Sequence, residues 1–435
     1  MSDFGVDPQT FVVHAAQALT MPEHAEALHH WDPTRIVDRD HEILGLIEDA
    51  CILVENGVMT FVGPWSERPA GAKRDIPVME SLVVTPGWVE CHTHSVFSGH
   101  RAAEFALRNA GRPYVEILEA GGGILETAAR LGRTSQRELE DLLVPRVLDF
   151  LRRGVTCLEI KSGYGLSTQD ELKMLRAVKN VQPHVPTELV GTFLGAHAIP
   201  KKYQSDRRAY IDLVINEMIP KVAEEELARY CDVFCDRGAF DAAESREILL
   251  AGREHGLIPR IHADELTDAN AARLAAEIGC ASADHLEFTP SEVFEQMAKA
   301  DVVAVLMPAV NLFLGTTGHM AKAREILEAG CEVALSTDFN PGSAMTQDIA
   351  LMTTLACTLY KMSPGEALRA VTIGAAKALR REDIGRLRPG LRANLAMFNV
   401  PDFSVIPYHF GTNHTEAVVA NGEFVYWTDD QDIEE

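Results

Sequence analysis

The two ends of the chain and its middle carry different rhythms of apolar and polar residues. Near the start, Phe11-Val-Val-His-Ala-Ala-Gln-Ala-Leu19 reads as a strand, and Ala50-Cys-Ile-Leu-Val-Glu-Asn56-Gly57-Val-Met-Thr-Phe-Val-Gly63 as a hairpin. Asn-Gly between apolar runs is a strong hairpin signal, because a type I′ turn needs positive φ at both central residues. The far end repeats the pattern, with a strand at Asn394–Val400 and a hairpin at Ala417-Val-Val-Ala-Asn421-Gly422-Glu-Phe-Val-Tyr-Trp427. A lone hairpin is marginal in water. Both ends are therefore expected to form one small β-sandwich, from residues 1–81 and 389–435, with residues 82–388 inserted between them. The His-, Pro- and Asp-rich segment Met21–Asp40 reads as a loop.

The middle alternates strand and helix signals. Apolar strand-like runs fall at Ser81–Glu90, Val155–Ile160, Glu188–Gly195, Cys231–Cys235, Ile258–Ile261, Ala281–Asp284, Val302–Leu306 and Glu332–Ser336. Amphipathic stretches lie between them, at Ser135–Arg153, Thr168–Asn180, Arg207–Ala228, Ala242–His255 and Thr267–Ile278. Two more, Thr346–Leu359 and Ser363–Leu379, follow the last run. Eight strands alternating with helices predict an α/β fold, a (β/α)8 TIM barrel. An open doubly wound sheet is the alternative. No Gly-x-Gly-x-x-Gly follows an early strand, which counts against a dinucleotide fold.

Composition narrows the class. With 435 residues, 46% hydrophobic and 24% charged, the chain matches an ordinary soluble enzyme. No apolar run reaches the length of a membrane span. Met1–Asp7 has no basic stretch of the kind that opens a signal peptide. The eight cysteines are scattered, mostly inside apolar runs, as expected of reduced core thiols in a cytoplasmic protein. A net charge of −24 disfavours nucleic acid, and it requires that any anionic substrate meet local positive charge.

Active sites of such barrels gather at the C-terminal ends of the strands. After the first run come His92 and His94, whose one-residue spacing puts both rings on one side of an extended strand, and then Arg101. The second run leads to Lys161-Ser-Gly-Tyr164-Gly and the third to Ala196-His197. The fifth ends in His262-Ala-Asp-Glu265, the sixth in Asp284-His285, and the eighth in Thr337-Asp338-Phe-Asn340-Pro-Gly342-Ser343. Singly, each has a plainer reading: His197 as a strand cap, His285 as a bonded core histidine, Asp338 as a helix N-cap, Glu265 as a solvated turn residue, Arg101 as a surface residue. Six of eight ends carrying such residues point to one site.

In these residues the chain resembles the amidohydrolase superfamily of metal-dependent hydrolases. The resemblance rests on Pro86-Gly-Trp-Val-Glu-Cys-His92-Thr-His94 and on the later His, His and Asp in order. Within it, Gly121-Gly-Gly-Ile124, Glu159-Ile-Lys-Ser-Gly-Tyr-Gly-Leu166, Thr192-Phe-Leu-Gly-Ala-His197, Ser282-Ala-Asp-His-Leu286 and Thr337-Asp-Phe-Asn-Pro-Gly-Ser343 are similar to the imidazolonepropionase family. Three stretches depart from its pattern: His100 where an acid is expected, Pro308–Gly318, and Met21–Asp49. The resemblance implies a homodimer with one zinc or iron ion per subunit, held by His92, His94, His262 and Asp338, and a small anionic ring substrate. It implies Glu265, His285 and Asp338 as catalytic groups, with the base open between His285 and Asp338. Arg101, Tyr164, His197 and Glu265 would bind substrate, and Asn340, Gly342 and Ser343 its opposite end. The implied reaction is hydrolysis of the cyclic amide of 4-imidazolone-5-propanoate to N-formimidoyl-L-glutamate. The alternatives are another five-membered ring acid of hydantoin or thio-imidazolone type, a cytosine-deaminase-like aminohydrolase, and a barrel without metal serving as a scaffold.

Overall fold

The structure, a computed structural model, describes residues 9–70, 78–112 and 123–428. Residues 1–7 and the Gly121-Gly122 pair lie outside them. The chain opens with β1 (Phe11–Leu19), β2 (Leu46–Glu55), β3 (Val58–Pro64) and β4 (Val78–Pro86). Asn56 and Gly57 sit at φ 53° and 76°, the left-handed pair that the β2–β3 turn demands. Between β1 and β2 the expected loop is partly helical: Ile36–Leu44 forms a helix closed by Gly45 in the left-handed region. Its buried face joins Ile43 and Leu44 to two charges, Arg39 bonded to Glu366 at 2.6 Å and Asp40 to the backbone of Gly365 at 2.9 Å, so the segment packs on the barrel's last helices. Trp31 lies under the guanidinium of Arg324, 3.8 Å from its ring centroid.

The barrel follows: β5 (Trp88–Glu90), β6 (Val155–Lys161), β7 (Glu188–Ala196), β8 (Tyr230–Cys235), β9 (Ile258–Pro259) continuing as β10 (Ile261–Ala263), β11 (Ser282–His285), β12 (Val303–Leu306) and β13 (Val333–Leu335). All neighbouring pairs are parallel, in the order β13-β12-β11-β10-β8-β7-β6-β5, with β9 on β8. Beyond the strand ends, a parallel bridge from Thr93 to Phe339 and the bond from His94 N to Phe339 O, 3.1 Å, join first to last. The apolar run Ser81–Glu90 is not one strand. It breaks at Gly87, where a Cβ would stand 2.3 Å from the Thr156 hydroxyl, and the chain passes from the small sheet into the barrel. The expected border at residue 82 therefore falls inside β4.

Helices wrap the barrel close to the predicted stretches. Gln136–Leu151 starts at a Ser135/Glu138 capping box, and Ala242–Glu254 at one from Asp241 and Glu244. The predicted Thr267–Ile278 helix begins later, at Ala271, because the Asp264 carboxylate accepts from the backbone of Ala271 and Ala272 at 3.0 and 3.2 Å.

The chain returns to the small sheet as β14 (Leu395–Phe398), β15 (Thr415–Ala420) and β16 (Glu423–Trp427), again through a turn with both residues at positive φ, Asn421 and Gly422. The order is β16-β15-β14-β4-β1-β2-β3, antiparallel except for β1 with β4. By hydrogen bonding the expected sandwich is a single sheet. It folds over itself, so that Phe11 of β1 and Phe424 of β16, far apart in strand order, meet with ring centroids 4.7 Å apart. Inward residues of both arms, among them Val13, Ile52, Leu395 and Val419, share one apolar core. Among the described residues, no helix is long and apolar enough to cross a membrane, and all eight cysteines are free.

One surface feature of this sheet responds to pH. His14 bonds to Asp49 at 2.8 Å and Glu80 at 3.2 Å, and stacks on Trp65 with ring centroids 3.9 Å apart. Partial burial lowers its pKa, but the two carboxylates outweigh it and the net shift is upward from 6.5. The stabilisation is complete below that value and fades as pH rises through the raised one; exposed pairs of this kind contribute under about 1 kcal/mol. Imidazolium quenches a stacked indole, so the fluorescence difference between parent and His14→Gln should titrate with a midpoint above 6.5. A midpoint below that would contradict the assigned pairing.

Candidate metal centre

The residues that follow the strands meet at the mouth of the barrel. His92 and His94 leave β5, His262 lies on β10, and Asp338 follows β13. Asp338 Oδ1 is 3.5 Å from His92 Nε2 and 3.4 Å from His94 Nε2, and His262 Nε2 is 3.5 Å from His94 Nε2. All four side chains are buried, and His92 Nε2 and Asp338 Oδ1 have no hydrogen-bond partner. Buried polar atoms without partners are costly. Several of them converging on one point fit a cation bound there: His92, His94 and Asp338 form one group of mutually close donors, and His92, His262 and His285 a second that shares His92. Burial first, then neighbouring positive charge, holds the His92 and His94 imidazoles well below their ordinary pKa, in the neutral form a metal requires. Burial and then Glu265 push the Asp338 carboxyl upward, a shift that a cation at this point would reverse.

His285 stands beside this group, its ring centroid 5.6 Å from His92 and 5.4 Å from His262. Its Nε2 is 3.8 Å from Glu265 Oε2, and its Nδ1 is buried without a partner. The backbone here is strained: φ is 84° at His285, 72° at Leu286 and 48° at Asp338, a region other residues avoid at a cost of about 1–3 kcal/mol. His197 stacks on His94 at 5.1 Å and Tyr164 lies 5.7 Å from His94, both buried. Burial and then His262 push His197 down to about 3, so it is neutral and available as a hydrogen-bonding group.

Arg101 and the loop after β13 form one unit. Gly342 packs so closely on the Arg101 guanidinium that a Cβ would sit 1.0 Å from Nη2. Gly342 thus lies against Arg101. Asn340 ties the same loop together. Its Nδ2 donates to Asp338 O at 2.7 Å and Ser343 Oγ at 2.8 Å, and its Oδ1 accepts from the backbone of Gly342 and Ser343 at 2.7 and 2.9 Å. The Asn340 amide shapes the loop that presents Asp338.

Beneath the mouth lies a layer of charge that strand patterning passed over. Asp284 Oδ2 takes the His92 Nδ1 bond at 2.6 Å, and Asp232 Oδ1 that of His262 Nδ1 at 3.1 Å. These fix which ring nitrogen faces the centre. Arg260 donates to Asp284 at 3.0 Å, and Lys161 to Asp232 at 2.8 Å and Glu159 at 2.9 Å. Glu90 accepts from the backbone of His92 and Thr337 at 3.1 and 3.0 Å, tying β5 to the segment that carries Asp338; burial raises its carboxyl to about 7. The available signal was charge inside apolar strands: Glu159 and Lys161 two apart in β6, Asp232 within β8, Arg260 between β9 and β10.

A profile of the amidohydrolase family matches residues 111–426. The chain is 41% identical over 421 residues to the imidazolonepropionase of Geobacillus sp. (strain WCH70), spanning 95% of this chain and 97% of that one. It is 45% identical over 376 residues to the imidazolonepropionase of Myxococcus xanthus, spanning 86% and 89%. Among solved structures, its fold is shared by an atrazine chlorohydrolase from Arthrobacter aurescens complexed with zinc, at TM-score 0.71, 17% identity and 96% and 95% coverage. An adenosine deaminase from Xanthomonas campestris with bound zinc also shares it, at TM-score 0.69, 18% identity and 96% and 93% coverage. Sequence likeness over nearly the whole length, on a barrel with three histidines and an aspartate at its mouth, places the chain in the imidazolonepropionase family of the amidohydrolases.

Proposed function

We propose that the protein hydrolyses the cyclic amide of 4-imidazolone-5-propanoate to N-formimidoyl-L-glutamate in histidine degradation, as a cytoplasmic homodimer with one zinc or iron ion per subunit. The observation that carries this reading is the convergence of unpartnered His92 and Asp338 atoms with His94 and His262. Held by those four residues, a divalent ion supplies Lewis acidity and a water made acidic enough to attack near neutral pH.

The chain's own groups do the rest. Arg101 pairs with the propionate, and Tyr164 and His197 add hydrogen bonds to it. Water oxygen becomes bonded to the ring carbonyl carbon, and the ring C–N bond breaks. Asp338 or His285 removes the water proton, and Glu265, beside His285, returns a proton to the departing nitrogen. The buried His285 is poised as a neutral acceptor, its pKa lowered mainly by burial and partly restored by Glu265. His285 also stabilises the negative charge that builds on the carbonyl oxygen.

The test is an absorbance assay with freshly prepared imidazolone propionate. Ring absorbance should decay with the purified protein, stop after chelation, and resume when zinc or iron(II) is restored. Cytosine and guanine should release no ammonia. A metal-replete preparation that leaves the imidazolone ring intact would overturn the proposal.

A further inference from the structure

The two cations beneath the mouth are not equivalent. Arg260 reaches into its surroundings through the backbone carbonyl of Cys91 at 2.7 Å and the Ser282 hydroxyl at 3.0 Å, besides Asp284. Lys161 bonds to carboxylates alone: Asp232 Oδ2 at 2.8 Å and Glu159 Oε1 at 2.9 Å, with Asp284 Oδ2 further off at 3.9 Å. Lys161, Glu159, Asp232 and Asp284 are all fully buried. Barrel interiors are ordinarily filled by branched apolar side chains, and a buried ion cluster is often no more stabilising than an apolar packing of the same volume. Stability is therefore a weak reason for an ammonium at this point.

Its connections supply a better one. Both Asp232 oxygens lie 3.1 Å from His262 Nδ1, and Oδ2 also accepts from Lys161 at 2.8 Å. Held by that shared N–H alone, the carboxylate can turn about the bond, and the imidazole it orients can turn with it. Held by the ammonium as well, it fixes the His262 ring plane, and the ring's other nitrogen lies 3.5 Å from His94 Nε2. His94 has no such backing: its Nδ1 is buried without a partner, and the ring is held by stacking on His197. The centre thus has two histidines set by carboxylates from below and one set by packing from the side.

We propose that Lys161 is a positioning residue of the metal centre, holding Asp232 from behind so that His262 keeps its Nε2 turned into the site. This rests on the metal reading given above and extends it to a residue that touches neither ion nor substrate. Removing Lys161 alone would leave three carboxylates facing one another. The informative variant is therefore the charge-balanced pair Lys161→Met/Glu159→Gln, which leaves Asp232 and Asp284 in place. In the Glu159→Gln control, the single amide oxygen can accept from the Thr93 N–H or from Lys161, 3.0 and 2.9 Å in the parent, and Lys161 keeps its bond to Asp232.

The experiment titrates cobalt(II) into the metal-free full-length proteins, reading affinity by competition with a chromophoric chelator and geometry from the visible d–d bands. The double variant should bind cobalt about 10–100-fold more weakly, the usual effect of losing such a partner, with displaced bands. Glu159→Gln should stay within about 2-fold of the parent in affinity and keep its bands, since the anchor of Asp232 is intact. A purely structural lysine would lower the thermal midpoint and leave the bands where they were; parental affinity and bands in the double variant would overturn the proposal. Should the double variant not fold, Lys161→Leu/Glu159→Gln, again charge-balanced and without a donor to Asp232, is read by the same two signals with the same outcomes. A parent protein that takes up no cobalt would overturn the metal reading itself, and this one with it.

Discussion

Asp338→Asn is expected to lower kcat by about 10²–10⁴-fold, the span that a positioned proton-transfer group contributes, and to lower the metal content with it. The two oxygens of this carboxylate have separate tasks. Oδ2 accepts from Asn340 Nδ2 at 3.1 Å and from the Ser343 hydroxyl at 3.4 Å. Oδ1 faces the Nε2 atoms of His92 and His94 and has no other partner. An amide cannot serve both sides. With its oxygen toward the histidines, its NH2 meets the Asn340 NH2, donor against donor. Flipped, it aims the NH2 at the place a cation would occupy. Steady-state kinetics and metal analysis on a variant with parental circular dichroism decide the matter. Turnover within 10-fold of the parent would remove Asp338 from the proton-transfer role.

Arg101→Ala is expected to raise KM by about 30-fold or more, since losing one partner of a buried charge pair costs about 2–5 kcal/mol. Bound metal should be unchanged, and kcat should change far less than KM. Gly342→Ala should mimic it, because the added methyl would occupy the space of the guanidinium, 1.0 Å from Nη2. The two changes should not add: once Arg101 is alanine, a methyl at 342 has nothing to displace. Unchanged KM in Arg101→Ala would free this arginine from the carboxylate role. Additive effects in the double variant would place Gly342's contribution elsewhere.

How much of this could be read before the structure depends on how each feature writes itself into the chain. The Asn56-Gly57 and Asn421-Gly422 turns are legible because only a few residues accept two successive left-handed conformations. The barrel is legible because eight apolar runs recur between amphipathic stretches, and the mouth because its polar residues sit at the ends of those runs. The helix Ile36–Leu44 is harder to read because it is only 9 residues long and its buried side sets the charges of Arg39 and Asp40 among Ile43 and Leu44. The break at Gly87 is written only in the Pro86-Gly87 pair, because both sides of it are buried and polarity does not change from one sheet to the other. The charged layer beneath the mouth was missed for the opposite reason. A charge in a strand is ordinarily taken to point outward, and Glu159, Lys161, Asp232 and Arg260 point in. The Arg101–Gly342 contact joins residues from two distant loops, and no local pattern carries it.

The place of β4 between β1 and β14 has a consequence for how the protein is made. When β4 leaves the ribosome, the strand that must cover its open edge is still about 300 residues away. At ordinary rates of synthesis, 5–20 residues per second, that edge waits roughly 15–60 s. Throughout that interval, the N-terminal half of the sheet offers unpaired backbone to any other nascent chain nearby. Co-translational chaperone capture, mapped by nascent-chain length, should therefore begin once β4 is exposed and end only when β14 emerges.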